Sequence, residues 1–124
     1  ARDAHGYTED RFKGSDRVTE VIKKVAAAID VKLIKGDISS GNVFYSTATE
    51  NWEAAAAAKG LIAAEMEAFA LFANAKALNK EAACLLTVSD SSFKENSKLS
   101  SEDRQNAFDD MMLLALNTAV AVID

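Results

Sequence analysis

The sequence predicts an α/β fold with three layers, a mostly parallel or mixed sheet carrying helices on both faces. Three observations lead there. Short apolar runs of strand length (Val31-Lys32-Leu33-Ile34, Leu61-Ile62-Ala63-Ala64 and Ala82 to Val88) alternate with segments of helical periodicity. Strands that alternate with helices join through crossover connections, which make neighbouring strands parallel and cover both faces of the sheet. The composition, 49% hydrophobic and 27% charged with no proline, is that of a compact globular chain. At 124 residues the chain can bury one core but is too short for two domains of ordinary size, so one α/β domain over 1–124 is expected.

The elements follow in order. Residues 1–13 are polar, weakly patterned and carry the single histidine, His5, which is expected at the surface. Ser15 and Asp16 open a helix whose buried stripe is Val18, Val21, Ile22, Val25 and Ile29, ending near Asp30. A strand starts at Val31 and extends toward Ile38, and Ser39-Ser40-Gly41-Asn42 forms a turn-like cluster before Val43-Phe44-Tyr45. Thr47 and Glu50 stand at capping-box spacing for a helix from about Glu50 to Lys59, and Gly60 sits at the position after its end. The five alanines Ala54 to Ala58 favour helix but offer little surface to bury, which fits a peripheral helix or an edited one. Next come a strand over Leu61 to Ala64, a helix from Met66 to about Asn79, a buried strand over Ala82 to Val88 and a polar loop over Ser91 to Leu99. Ser100 and Asp103 begin a long terminal helix with Phe108, Met111, Met112, Ala115, Leu116, Ala119, Val120 and Ile123 on its apolar face.

Charge and cysteine content exclude some functions. A net charge of −5 opposes a nucleic-acid partner, because binding to phosphate backbones rests on clustered Lys and Arg. One cysteine, Cys84, permits no intramolecular disulfide, and its apolar neighbours predict a buried reduced thiol in a cytoplasmic protein. One histidine and one cysteine make no metal-ligand set, so no metal is expected. No basic-plus-apolar leader and no apolar run of bilayer length stand out, so no membrane is expected.

Glu65-Met66-Glu67-Ala68 is the chemically unusual stretch, placing two carboxylates where a strand hands over to a helix. Extended geometry would send Glu65 and Glu67 to the same side. A helix N-terminus favours negative charge, so structural capping competes with ligand binding as their purpose. Ser89-Asp90 follows the last strand, at the carboxyl edge where open α/β sheets place their ligands, although an aspartate there also suits a turn.

Gly41-Asn42-Val43-Phe44, Ala64-Glu65-Met66-Glu67-Ala68, Leu86-Thr87-Val88-Ser89-Asp90 and Asp103-Arg104-Gln105, with Phe108 and Asp109-Asp110-Met111-Met112 beyond, stand in an order and rough spacing that resembles bacterial purine nucleoside phosphorylases of the hexameric, trimer-of-dimers type. The resemblance runs from about Arg11 onward and covers the carboxyl-terminal half of that family's fold. It implies reversible phosphorolysis: phosphate attacks C1′ of a purine (deoxy)ribonucleoside, releasing the base and (deoxy)ribose 1-phosphate. Phosphate is then a co-substrate and no cofactor is needed. It assigns Glu67 to the ribose hydroxyls, Met66 to the sugar, Phe44 with Val43 and Ala64 to the sugar and base pocket, and Glu65 to the side of the base. Asp90, presented by Ser89-Asp90, would act as the general acid at purine N7, assisted by Arg104. Arg104 lies fourteen residues after Asp90, one more than the family's spacing.

An acid at N7 is chemically apt, since the transition state joins an oxocarbenium-like sugar to a departing anionic purine. An aspartate is ordinarily ionised at neutral pH and needs burial, a like charge or a proton-supplying partner to act so. The family's glycine-rich phosphate loop has no counterpart here, and Arg2, Arg11 and Arg17 match no phosphate motif. Two readings therefore stand: the nucleoside-binding half of a phosphorylase, joined to an amino-terminal half and a neighbouring subunit, or a non-catalytic excised or engineered α/β fragment. A hydrolase in which water replaces phosphate is a third. A half-fold should expose apolar surface and self-associate.

Overall fold

The computed structural model describes residues 2–43, 51–91, 99–106 and 108–123. The chain is mixed α/β, with a parallel pair of strands and five α-helices among the described residues. It divides into two compact units, Ala1–Gly14 with Lys35–Ala82, and Ser15–Ile34 with Ala83–Asp124.

In the first unit, β1 (Asp37–Ser40) pairs in parallel with β2 (Leu61–Glu65). The register matches Asp37 to Leu61, Ile38 to Ala63, Ser39 to Ala64 and Ser40 to Glu65, with an irregularity between Asp37 and Ile38. The ladder continues where the Gly41 N–H donates to the Glu65 carbonyl at 2.9 Å. Gly36 lets the chain enter β1, because a Cβ there would clash with the Ile62 side chain. The crossover carries α2 (Trp52–Ala58), whose N-cap is Asn51, its side chain accepting from the Ala54 N–H at 3.0 Å. The expected caps Thr47 and Glu50 lie outside the described residues. Gly60 follows the helix with φ +75°, the left-handed position that a side chain would strain. No residue of α2 is buried, as five alanines imply.

The helix α3 (Ala68–Ala77) starts at the end of β2 and buries Ala68 and Ala73. It ends in a Schellman motif: Asn79, at φ 52°, donates to the Lys76 carbonyl and Lys80 to the Ala75 carbonyl. The amino-terminal segment lies on this helix. Phe12 packs edge-on against Phe69 with centroids 4.9 Å apart, and Lys76 Nζ sits 4.4 Å above the Tyr7 ring while pairing with Glu9. His5 is exposed, as expected, and its Nε2 meets Asn74 Oδ1 at 2.8 Å.

In the second unit, α1 (Asp16–Ala28) begins where the Ser15 hydroxyl accepts from the Val18 N–H at 3.1 Å. Ile22 and Ala26 pack with Leu114 of α5 (Asp109–Ile123), and Val18, Val25, Ile29, Val31, Ala83 and Leu85 close around them. Asp30, at φ 58°, donates to the Ala27 carbonyl and Val31 to the Ala26 carbonyl, a second Schellman ending. Cys84 is half-buried and in no disulfide.

Three expectations require correction. The strand predicted to start at Val31 is displaced: Val31 is committed to the α1 ending and its core, and pairing falls on Asp37–Ser40, which takes Ser39 and Ser40 out of the predicted turn. Residues 82–88 form no ladder, since no described segment supplies the neighbouring hydrogen bonds a strand needs. The terminal helical region shows α4 (Ser101–Asn106) and α5 among the described residues, and the buried stripe of α5 runs through Leu114 and Thr118 rather than Met112, Leu116, Val120 and Ile123, which are exposed. The α5 sequence is apolar on nearly every face, so periodicity could not select the side that meets α1.

Taken together, Ser101–Ile123 has the length and apolar content of a membrane span, contrary to the expectation of no such run. It passes through residue 107, outside the described residues. The helix α5 alone has 15 residues against the roughly 20 that a span needs, and opens on Asp109 and Asp110.

Candidate functional site

In the first unit Ala64, Glu65, Met66 and Glu67 lie at the junction between β2 and α3. Strand alternation turns Leu61, Ala63 and Glu65 to the sheltered face and Ile62 and Ala64 to the exposed one. The chain bends at Met66 and Glu67, so the two glutamates do not leave one extended segment as expected; Glu65 ends the strand and Glu67 occupies the N-cap of α3.

They do different things. One oxygen of Glu65, Oε2, accepts the N–H of Glu67 at 2.6 Å and that of Ala68 at 2.7 Å. The next helical donor, the Phe69 N–H, goes to the Ser40 hydroxyl at 3.1 Å. Three successive N–H groups that an α-helix leaves without internal partners are thereby satisfied from outside it. Burial pulls the Glu65 carboxyl upward, but the nearby Ser40 hydroxyl and the N–H groups of Glu67, Ala68 and Met66 outweigh it and hold the pKa below its ordinary value. The second oxygen, Oε1, is buried and accepts no hydrogen bond of ordinary geometry among the described residues.

Glu67 makes no side-chain capping bond. Its carboxylate is exposed and, among the described residues, accepts only the Met66 N–H, at 3.3 Å. Met66 and Ala64 are exposed beside it, and Val43 is exposed in the segment leaving β1. Phe44 lies outside the described residues. The junction thus presents a carboxylate, a thioether and small apolar groups to solvent, a combination able to accept hydrogen bonds from hydroxyls while packing on a carbon skeleton.

The other site residues belong to the second unit. The Ser89 hydroxyl donates to Asp90 Oδ2 at 2.9 Å, and the Ser89 carbonyl accepts from the Leu99 N–H at 3.0 Å. Asp90 is exposed. Ser100 and Asp103 form the expected cap of α4: the Ser100 hydroxyl accepts from the Asp103 N–H at 3.0 Å and donates to its carboxylate at 2.7 Å. Arg104 follows in the last turn of α4, half-buried, with Nε buried and unpartnered among the described residues. No ion pair joins Asp90 to Arg104 there. The remaining arginines are engaged within the chain: Arg2 with Asp3, Arg11 with Asp37 and Arg17 with the Val122 carbonyl.

Ser40 is the residue that sequence reasoning missed. In isolation Ser39-Ser40-Gly41-Asn42 has turn composition, and only the pairing of Ser40 with Glu65 reveals its position.

Residues 5–123 match the family model described as "Phosphorylase superfamily". The chain belongs to that superfamily. Among its relatives, the purine nucleoside phosphorylase DeoD-type of Aliivibrio salmonicida is 39% identical over 95 residues, covering 77% of this chain and 39% of that protein. The purine nucleoside phosphorylase DeoD-type of Psychromonas ingrahamii is 34% identical over 118 residues, covering 90% of this chain and 49% of that protein. The purine nucleoside phosphorylase DeoD-type 2 of Vibrio cholerae is 35% identical over 119 residues, covering 90% and 50%. The chain spans about half the length of these relatives or less, and the resemblance drawn from its motifs holds at the level of the family.

Proposed function

We propose that the chain carries the nucleoside-binding half of a purine nucleoside phosphorylase. The observation that supports this most directly is the division of labour at the start of α3, where Glu65 and Ser40 occupy the helix donors and the Glu67 carboxylate remains exposed. In this reading Glu67 accepts hydrogen bonds from the ribose hydroxyls, with Met66, Ala64, Val43 and Phe44 against the sugar and base. Glu65 shapes the junction, a role different from the place beside the base that the family resemblance implies.

The reaction is an exchange at C1′. A phosphate oxygen forms the new bond to C1′ as the bond to purine N9 breaks, and its electron pair passes into the purine. A proton delivered to N7 by Asp90 neutralises that charge, with Ser89 orienting the carboxyl group and Arg104 assisting transfer. Substrates are a purine nucleoside and phosphate; no cofactor, metal, nucleic acid or membrane enters, and purine salvage in the cytoplasm is the setting. Phosphate would be held mainly by the amino-terminal half of the fold, and the active assembly would be a homo-oligomer.

The second reading, a non-catalytic fragment, is favoured by one observation: the exposed apolar residues Leu113, Leu116, Val120 and Ile123 of α5 leave this chain incomplete as a folded surface. Phosphate-dependent release of hypoxanthine from inosine, measured for the chain alone and for the chain joined to an amino-terminal half, tests both. Turnover in the joined protein that requires phosphate supports the phosphorylase. Turnover without phosphate identifies a hydrolase, and none in either preparation, with folded circular dichroism spectra, leaves the non-catalytic reading.

A further inference from the structure

We propose that Ser40 is a positioning residue for nucleoside recognition: by taking the Phe69 N–H, it keeps the Glu67 carboxylate from folding back as the cap of α3. The inference rests on the reading of Glu67 as the sugar-binding residue.

A side chain at the N-cap ordinarily accepts from the second or third helical N–H. Glu67 is the N-cap residue and Phe69 the second residue of the helix, so Phe69 offers one of the two donors that Glu67 would otherwise claim. That donor is occupied by Ser40 Oγ at 3.1 Å, from a different strand. The N–H groups of Glu67 and Ala68 are taken by Glu65. Ser40 and Glu65 are directly paired in the β1–β2 ladder, so the two acceptors are set side by side by sheet register. The Phe69 ring also packs edge-on against Phe12. Glu67 accordingly has no capping bond and stays exposed. Removing the Ser40 hydroxyl frees one strong donor two residues from the Glu67 carboxylate, and a charged acceptor near a helix N-terminus is favoured there. The carboxylate would then be spent on the helix instead of on a ligand.

The test compares Ser40→Ala, Ser40→Thr, Glu67→Ala and the Ser40→Ala/Glu67→Ala double variant in the complete protein that contains this chain. Ser40→Ala should raise KM for inosine about tenfold, the loss of one charge-assisted hydrogen bond, with KM for phosphate unchanged. Ser40→Thr, which keeps the hydroxyl on a strand, should restore it. The Phe69 amide should remain protected from hydrogen exchange in Ser40→Ala, because Glu67 replaces the lost acceptor, and should lose protection in the double variant. Loss of protection in the single variant, or an inosine KM equal to wild type in Ser40→Ala, overturns the proposal. If Glu67→Ala itself leaves the inosine KM unchanged, the sugar-binding reading fails, while the amide protection still decides whether Ser40 and Glu67 compete for Phe69.

Discussion

The carboxylate of Glu65 accepts the backbone N–H of Glu67 at 2.6 Å, so one acid of the pair anchors the backbone from which the other extends. The same oxygen takes the Ala68 N–H. Glu65→Ala should therefore destabilise the fold by about 0.5–2 kcal/mol, the usual cost of losing a helix cap. Glu65→Gln, which retains an acceptor oxygen, should cost less. Urea unfolding followed by circular dichroism measures both, and equal stability of Glu65→Ala and wild type would remove the capping role.

The depressed pKa of Glu65 carries a pH signature. A carboxyl whose folded pKa lies below its unfolded value adds stability that is complete above the unfolded value, near 4.3 for a glutamate, and is lost as pH falls through the folded one. The difference in stability between wild type and Glu65→Gln should thus shrink on acidification below about pH 4. A difference that grows on acidification would contradict the assignment.

Glu9 and Lys76 shift in opposite directions. The hydrogen bond from Lys76 lowers the Glu9 carboxyl, and the same bond raises the Lys76 ammonium. Glu9's contribution is lost as pH falls through its folded pKa, and that of Lys76 as pH rises through its own, so neither changes near neutrality. Both groups are exposed, and added salt should weaken the pair. Carbon-13 titration of Glu9 in wild type and Lys76→Met should show the carboxyl moving up in the variant; an unchanged titration would dissolve the pair in solution.

Asp90 is the test of the proposed chemistry. Asp90→Asn should lower kcat by about 10²–10⁴-fold in the active assembly while changing nucleoside affinity little, because the proton is needed in the transition state. Wild-type turnover in the variant would take Asp90 out of the mechanism.

Leu113, Leu116, Val120 and Ile123 predict self-association of the isolated chain. Light scattering should show a concentration-dependent mass, reduced by Leu116→Lys with Val120→Lys. A monomer over the whole concentration range would count against an uncovered interface.

What could be read from the sequence was local. Ser15, Gly60 and the Ser100 and Asp103 pair were legible because their partners lie within a few residues. The position of β1 was not, since the Val31 N–H is claimed by the Ala26 carbonyl and the Gly41 N–H by the Glu65 carbonyl, choices that depend on tertiary neighbours. Leu114 and Thr118 were missed because a helix that is apolar all round does not mark its buried side. The Glu65 to Glu67 stretch was legible as chemically unusual, but its division into cap and exposed acid was not, because that depends on Ser40 arriving from another strand.

The most direct measurement of the central claim is the affinity of the active assembly for inosine and for 2′,3′-dideoxyinosine, in wild type and in Glu67→Ala. If Glu67 holds the ribose hydroxyls, the substitution should weaken inosine binding about 10- to 100-fold, the range for hydrogen bonds to a charged acceptor, and leave the dideoxy analogue unaffected. Equal weakening of both ligands, or of neither, would contradict it.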